Sequence, residues 1–355
     1  MLLSVLNAFL LFTLSLIPDR STPTATWHSF IAAIRSEDKE TVEQCWAAED
    51  RKVILGYDLD FPKNYLNTVL VEEVYDDVAR VLVGRSNTDT AHCAPILSAS
   101  EEKSIPIPED FTIWVSLVKR RNLWFLTWDD RAVLRHVTQN WWTKTTKHFI
   151  YHYHDFCPSE ELMEANERHL QRVASILGVE VDKKVDCFLV GSEFDEKLLR
   201  GHETASDCAG TGYIISGSES LLHEINHIVA AELGQCGLQF FDEGLAIYLE
   251  SDDHTMKGIS VDILARRELD KAICKSASDL MQPKAFNAAR LHGCQGYASA
   301  ASFVKYIIAE YGMDRFKELY KQINKKNYRE VFRRVYGKSL TKADEAWQEY
   351  LRSLH

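Results

Sequence analysis

The amino-acid sequence predicts an α+β fold with a smaller N-terminal domain and a larger C-terminal domain. The first observation is size, since 355 residues with 46% hydrophobic and 26% charged side chains are enough for two globular domains. The second is order: strand-like and helix-like segments mix up to about residue 216, and helices dominate after it. The third is a new strand and helix pattern that begins near Trp141 and marks the second domain.

The N-terminus has an apolar character of its own. Residues 1–17 carry no charged side chain, and a polar Pro-Asp-Arg segment then ends the run. Its length suits the core of a signal peptide or a short membrane anchor, but no Lys or Arg precedes it and no A-x-A site follows. A buried N-terminal helix is the alternative. We expect residues 1–20 to be a signal peptide or membrane anchor, and the protein to be extracytoplasmic (secreted, periplasmic or membrane-anchored), with residues 1–17 providing any membrane association.

Charge and cysteine content exclude some classes of protein. The formal net charge is -11, and phosphate binding needs a basic face, so we do not expect a nucleic-acid partner. Eight cysteines suit disulfides in an oxidising compartment, and buried thiols are an equally good interpretation. No C-x-x-C pair occurs, which argues against a thiolate zinc site.

The N-terminal domain, residues 27–138, is predicted to contain a helix and antiparallel strands. Apolar residues at helical spacing indicate a helix over 27–48. Strand-like runs follow at 74–84, 111–118 and 123–128. A polar loop is predicted over 85–110, and the polar connection 119–122 suits a hairpin. A helix before a curved antiparallel sheet resembles the layout of the nuclear-transport-factor-2-like fold.

The C-terminal domain, residues 144–355, is predicted to have a small mixed sheet packed with helices. The predicted strands are 147–154, 184–191 and 210–216, with a helix over about 159–177 after the first. Helices are then predicted at 242–251, 260–275, 297–311, 314–323, 328–336 and 341–353. Thr341 and Asp344 have the spacing of a capping box at the start of the last one.

The stretch "HEINH" begins at His223 and has the spacing of a metal-binding helix. Residues four apart lie on one face of a helix, so His223 and His227 can direct their imidazoles to one point. Zinc accepts neutral imidazole nitrogen, and Glu224 lies beside that point, where it can take a proton from the attacking water. An ordinary surface helix that carries two histidines is the alternative.

The third ligand of such a site is expected in "FFDEGLAIYLE", which begins at Phe240. A catalytic zinc needs three protein ligands and one open position. Glu243 follows His227 by sixteen residues, which allows a turn and the start of an antiparallel helix. Gly244 and Ala246 are small, so the two helices are expected to pack closely. A carboxylate on a largely apolar helix needs a partner when it is buried.

These two motifs together resemble the gluzincin zinc metallopeptidases of the peptidase-MA-like branch. The resemblance covers about residues 144–353, and the separation between the second histidine and the glutamate is shorter than in the best-known relatives. It implies one zinc ion bound by His223, His227 and Glu243, with Glu224 as the general base. It also implies that Tyr297, on a downstream helix, donates to the oxyanion. A core aromatic role for Tyr297 is equally open, and His292 is a weaker substitute.

The predicted function is hydrolysis of a peptide or protein substrate. Strand 210–216 is expected to be the sheet edge on which an extended peptide docks, with an ordinary edge as the alternative. A non-catalytic binding or scaffold protein that keeps this fold and its zinc is the competing hypothesis. The histidines His148, His152 and His154 share one strand face, but no nearby Asp or Glu completes a second metal site, and Asp155, which follows directly, does not change this. Half-exposed or pH-sensitive histidines are the favoured interpretation.

Overall fold

The computed structural model describes ten stretches of the chain, and these form two compact units. The described residues are 17–51, 68–84, 112–155, 157–201, 208–210, 212–234, 236–270, 276–282, 285–286 and 296–354. Residues 1–16 of the predicted signal or anchor segment, the predicted loop 85–110 and His292 lie outside them. Within the described stretches, no helix has both the length and the apolar character needed to cross a membrane.

The first unit consists of an antiparallel sheet and short helices. Its elements are helices α1 (Pro23–Arg35), α2 (Lys39–Gln44) and α3 (Arg131–Val137), and strands β1 (Thr68–Tyr75), β2 (Val78–Gly84), β3 (Thr112–Arg120) and β4 (Leu123–Leu126). The four strands are adjacent in chain order. Trp27, Phe30 and Ile31 of α1 are buried against one face of the sheet, so the apolar stripe of this helix forms the core. The resemblance to the nuclear-transport-factor-2-like fold stays a prediction.

Two turns in this unit differ from their sequence-based prediction. The run 74–84 is a hairpin and not a single strand, because Asp76 has a positive φ of 53° and reverses the chain between β1 and β2. The hairpin between β3 and β4 is confirmed, but its loop has only two residues. Arg121 and Asn122 both have positive φ, which is the type I′ geometry that matches strand twist. The predicted helix 27–48 is likewise broken, since Asp38 caps a new helix.

A segment from later in the chain completes the first unit. Helix α5 (Glu193–Arg200) lies within it, although the sequence-based division places these residues in the domain 144–355. Side chains of the sheet donate hydrogen bonds to carbonyls near its C-terminus. Arg80 donates to the Leu198 carbonyl at 2.6 Å, and the Trp114 indole donates to the Lys197 carbonyl at 3.2 Å. The Leu198 carbonyl lies in the last turn, where partners within the helix run out, and the Lys197 carbonyl also accepts from the Gly201 amide at 2.9 Å.

The second unit is built on a five-stranded mixed sheet. Its strands are β5 (Trp142–Thr145), β6 (Phe149–Tyr153), β7 (Val185–Leu189), β8 (Cys208–Gly210) and β9 (Tyr213–Ser216), in the order β5-β6-β7-β9-β8. The three central strands are parallel. Helix α4 (Glu160–Leu177) connects β6 to β7; Ser159 caps its start and Gly178, in the left-handed region, ends it.

The edge of this sheet is not where the sequence suggests. Gly212, with φ of 74°, lies at the turn before β9, and the chain reverses there. β9 therefore pairs with β7 on one side and with β8 on the other. The prediction that all of 210–216 is an edge strand is wrong: among the described strands, β8 is the edge beside β9.

Helices follow the sheet, as predicted. They are α6 (Leu222–Ala231), α7 (Gln239–Glu250), α8 (Val261–Asp270), α9 (Ala277–Leu280), α10 (Gly296–Tyr311), α11 (Met313–Gln322), α12 (Tyr328–Tyr336) and α13 (Leu340–Ser353). A small hairpin of β10 (Thr255–Met256) and β11 (Ile259–Ser260) precedes α8. One continuous apolar core joins the sheet with most of these helices. The α+β class is therefore confirmed.

The capping box predicted at the start of α13 is absent. Ser339 is the capping residue there and accepts from the Lys342 amide. The Asp344 carboxylate instead accepts from the amides of Ala277 at 3.2 Å and Ser278 at 3.1 Å, at the start of α9. A buried carboxylate needs hydrogen-bond donors, and the first amides of a helix lack partners within the helix. Tertiary packing brings the first amides of α9, and not those of α13, next to Asp344.

Candidate metal centre

Helix α6 is fixed at its start and along its buried face. Asn166, on α4, accepts from the Leu221 amide at 3.2 Å and donates to the Glu219 carbonyl at 3.0 Å, which holds the loop before the helix. Ile225 and Val229 are fully buried in the core. His223 and His227 lie on the less buried side, one turn apart, as the motif spacing predicts.

Helix α7 brings Glu243 to these two imidazoles. His223 Nε2 lies 3.2 Å from His227 Nε2, and Glu243 Oε2 lies 3.3 Å from the first nitrogen and 3.5 Å from the second. Tetrahedral ligands at zinc bond lengths are separated from one another by about 3.3 to 3.4 Å. The three atoms therefore have the spacing of three ligands of one zinc ion.

Close packing of α7 has a different partner from the one predicted. A Cβ atom on Gly244 would lie 2.8 Å from the Ala300 carbonyl oxygen, so this glycine lets α7 approach α10. Of the two small residues singled out in the sequence, Gly244 therefore faces α10. The link to α6 is a hydrogen bond, in which the Asn226 amide donates to the Ala246 carbonyl at 2.6 Å.

Each imidazole has a second carboxylate partner at its other nitrogen. His223 Nδ1 lies 2.6 Å from Glu250 Oε1, and His227 Nδ1 lies 3.3 Å from Asp242 Oδ2. The Tyr320 hydroxyl donates to Asp242 Oδ1. Sequence reasoning missed all three of these residues. A signal existed for two, because Asp242 precedes Glu243 and Glu250 follows it by two helical turns, on the same face.

The electrostatics of the site favour positive charge. Burial alone would lower the pKa of His223, but hydrogen bonds with Glu243 and Glu250 raise it to about 9. Burial opposes charge on His227 too, and Asp242 and Glu243 raise its pKa to about 10. The carboxyl of Glu243 is also buried, yet the two imidazoles lower its pKa to about 2. Without a metal, this is a site that holds protons, and a cation replaces protons in such a site.

Glu224 and Tyr297 lie on the elements that the motifs predict. Glu224 is buried on α6, 7% exposed, and its charge adds to the rise in the pKa of His223. Tyr297 is half-buried in the first turn of α10 and its ring centroid lies 5.2 Å from that of Phe286. It also packs against the small apolar cluster that includes Ile247 of α7.

The three histidines at the strand β6 do not converge on one carboxylate. Each pairs with a carboxylate of its own: His148 with Glu167 at 2.6 Å, His152 with Asp186 at 2.8 Å, and His154 with Asp155 at 3.1 Å. Two of these carboxylates come from distant parts of the sequence, which sequence spacing could not reveal. Cys45, Cys157, Cys187 and Cys236, which lie in described stretches, are free thiols.

Comparison with known proteins gives a family match for part of the chain. Residues 203–353 match the family model of the peptidase MA superfamily, a range that includes α6, α7 and all three clustered side chains. No curated protein sequence matches the chain. The resemblance to gluzincin-like peptidases drawn from the two motifs is confirmed at the level of this superfamily, which indicates an enzyme of the peptidase type. Residues 203–353 of this chain are therefore similar to the peptidase MA superfamily.

Proposed function

We propose that the protein is a zinc metallopeptidase of the gluzincin type, with one zinc ion bound by His223, His227 and Glu243. The observation that carries this proposal is the triangle of 3.2, 3.3 and 3.5 Å between the three ligand atoms. Two imidazole nitrogens and one carboxylate are a donor set that zinc prefers, and three protein ligands leave a position open for catalysis. A structural zinc site would close that position with a fourth side chain.

The chemistry follows from what lies around the ligands. A zinc ion bound there would supply Lewis acidity, polarising the scissile carbonyl and lowering the pKa of water. Glu224 takes the proton from the attacking water and returns it to the leaving amine. Tyr297, on α10, donates a hydrogen bond to the developing oxyanion.

The substrate is proposed to be an extended peptide. β8 is the terminal strand of its sheet among the described strands, and it is followed by β9, which leads directly into α6. A peptide that adds to this edge by main-chain hydrogen bonds runs beside the start of the metal-binding helix. Gly210, in β8, has no side chain to obstruct the approach of another backbone.

Export is proposed on the basis of residues 1–17 alone. The intact mass of the protein recovered from expressing cells distinguishes a cleaved signal peptide from an uncleaved membrane anchor. Loss of about the first 20 residues indicates a cleaved signal peptide. Full-length protein in the membrane fraction indicates an anchor, and full-length protein in the cytosol overturns export.

The zinc peptidase proposal is tested with two variants and two matched controls. Elemental analysis is expected to find one zinc per wild-type chain and none in His223→Ala. Glu224→Gln is expected to keep zinc and to lose cleavage of a mixed peptide library. His28→Ala and Glu232→Gln, which replace exposed residues of the same types, are expected to match wild type. A wild type without zinc contradicts the site, and one that binds zinc but cleaves nothing supports a non-catalytic binding protein.

A further inference from the structure

We infer that Glu250 and Asp242 are positioning residues that orient the two metal-binding imidazoles, and that Tyr320 fixes Asp242 in this role. The inference rests on the proposed function and adds residues that hold the metal without touching it. The two carboxylates and the ligand Glu243 all lie on α7, and both imidazoles lie on α6. The paired helices thus carry every ligand and both outer carboxylates.

The choice of ring nitrogen follows from the chemistry of the partners. A carboxylate only accepts hydrogen bonds, so the Nδ1 atom that faces Glu250 or Asp242 must carry a hydrogen. A neutral imidazole has only one N–H. When that hydrogen is on Nδ1, the Nε2 atom has a free electron pair with which it can bind a metal. Both Nε2 atoms are the ones that lie 3.2 Å apart and face Glu243. The outer carboxylates therefore hold a hydrogen on each Nδ1 atom, which leaves Nε2 for a metal that also takes Glu243 as a ligand, and they fix the direction of each ring.

The two outer carboxylates are held differently. Glu250 forms a short contact of 2.6 Å with His223, and its side chain remains 29% exposed. Asp242 lies 3.3 Å from His227, and its other oxygen accepts from Tyr320, a side chain that is 1% exposed. A buried hydroxyl with one partner fixes that carboxylate in place. Tyr320 should therefore act on the metal only through Asp242 and His227.

The first test measures zinc affinity by competition with a chelator, using Asp242→Asn, Glu250→Gln and Tyr320→Phe. Loss of an outer partner usually weakens metal affinity by about 10- to 100-fold, and we expect that for the two carboxylate variants. Tyr320→Phe keeps the ring and loses only the hydroxyl, so a smaller loss of about 3- to 10-fold is expected. Glu232→Gln, at the exposed end of α6, is the control and is expected to bind zinc as wild type does.

The second test is a double-mutant cycle. Tyr320→Phe is expected to cause no further loss in the Asp242→Asn background, and a full, additive loss in the Glu250→Gln background. Glu250→Gln keeps the test open should Asp242→Asn not fold, because Glu250 is partly exposed. Wild type without zinc affinity overturns the proposed function. Wild-type zinc affinity in all three variants overturns this inference. Equal losses of zinc affinity from Tyr320→Phe in the Asp242→Asn and Glu250→Gln backgrounds overturn it too. Neither result contradicts the proposed zinc site.

Discussion

Asn226 joins the two helices of the proposed metal centre, because its side-chain amide donates to the Ala246 carbonyl at 2.6 Å. The same side chain accepts from His169 Nε2 at 2.8 Å, and it is fully buried. The middle of "HEINH" is therefore structural, and it sets the distance between the helix with the imidazoles and the helix with Glu243. Burial lowers the pKa of His169, which keeps this ring neutral and consistent with a single Nε2 hydrogen.

Replacement of Asn226 should destabilise the fold and the site together. Asn226→Ala leaves the Ala246 carbonyl and the His169 ring without their partner, at a cost of about 1–3 kcal/mol for each buried group. We expect the free energy of unfolding in urea to fall by about 2–4 kcal/mol, with a weaker affinity for zinc. Glu232→Ala, on the exposed end of the same helix, is the control. An unchanged urea midpoint for Asn226→Ala would contradict this role.

Two roles are open for Tyr297, catalysis and core packing, and removal of its hydroxyl distinguishes between them. If the hydroxyl donates to the oxyanion, Tyr297→Phe should lower kcat by about 10²- to 10³-fold with little effect on unfolding. If the ring only packs against Phe286, Tyr297→Phe should be active, and Tyr297→Ala should lose about 2 kcal/mol of stability. Peptide hydrolysis and thermal unfolding of both variants, measured side by side, decide between them. Full activity of Tyr297→Phe removes the catalytic role.

The metal-free protein should have its own dependence on pH. The raised pKa values of His223 and His227 stabilise the fold fully below their ordinary value of 6.5, and this contribution is lost as pH rises through about 9 to 10. The lowered pKa of Glu243 stabilises the fold above 4.5 and is lost as pH falls towards about 2. The contribution of the site to stability is therefore greatest between pH 4.5 and 6.5.

Zinc affinity should change in the opposite direction over part of this range. Imidazole must lose a proton to bind a metal, so affinity is expected to rise from pH 6.5 to 9 while the metal-free protein loses stability. Urea unfolding of chelator-treated protein and zinc titrations at each pH measure the two effects. In a protein carrying both His223→Ala and His227→Ala, the alkaline loss of stability should be absent. Its persistence there would assign the loss to other groups.

The residues of the proposed zinc site could be predicted from sequence because the geometry that joins them is mostly local. A helix fixes His223 and His227 on one face by their spacing alone, and Glu243 was found through a motif on the next helix. Tyr320 could not be found in this way, since it reaches Asp242 only after α11 packs beside α7. No periodicity in the sequence encodes that packing.

The same division between local and tertiary effects explains where the sequence-based prediction of the fold was wrong. Helices with long apolar stripes were predicted with their ends displaced by a few residues, because the stripe determines the helix and the cap determines the end. The hairpin at Asp76 was missed, since a single residue with positive φ interrupts an otherwise strand-like run. The edge strand was misplaced because strand order depends on pairing between distant segments.

Gly244 provides a test of packing next to Glu243, the proposed zinc ligand. A methyl group there would lie 2.8 Å from the Ala300 carbonyl oxygen and 2.9 Å from a methyl carbon of Val304, closer than such atoms can approach. Gly244→Ala should therefore force α7 away from α10, lower the free energy of unfolding by about 1–3 kcal/mol and move Glu243 relative to the imidazoles. Gly217→Ala is the matched control, because its added methyl would meet only one atom, at 3.9 Å. Urea unfolding and zinc titration of both variants measure the two effects. Equal stability and equal zinc affinity for Gly244→Ala and Gly217→Ala would mean that α7 can shift without disturbing the metal centre.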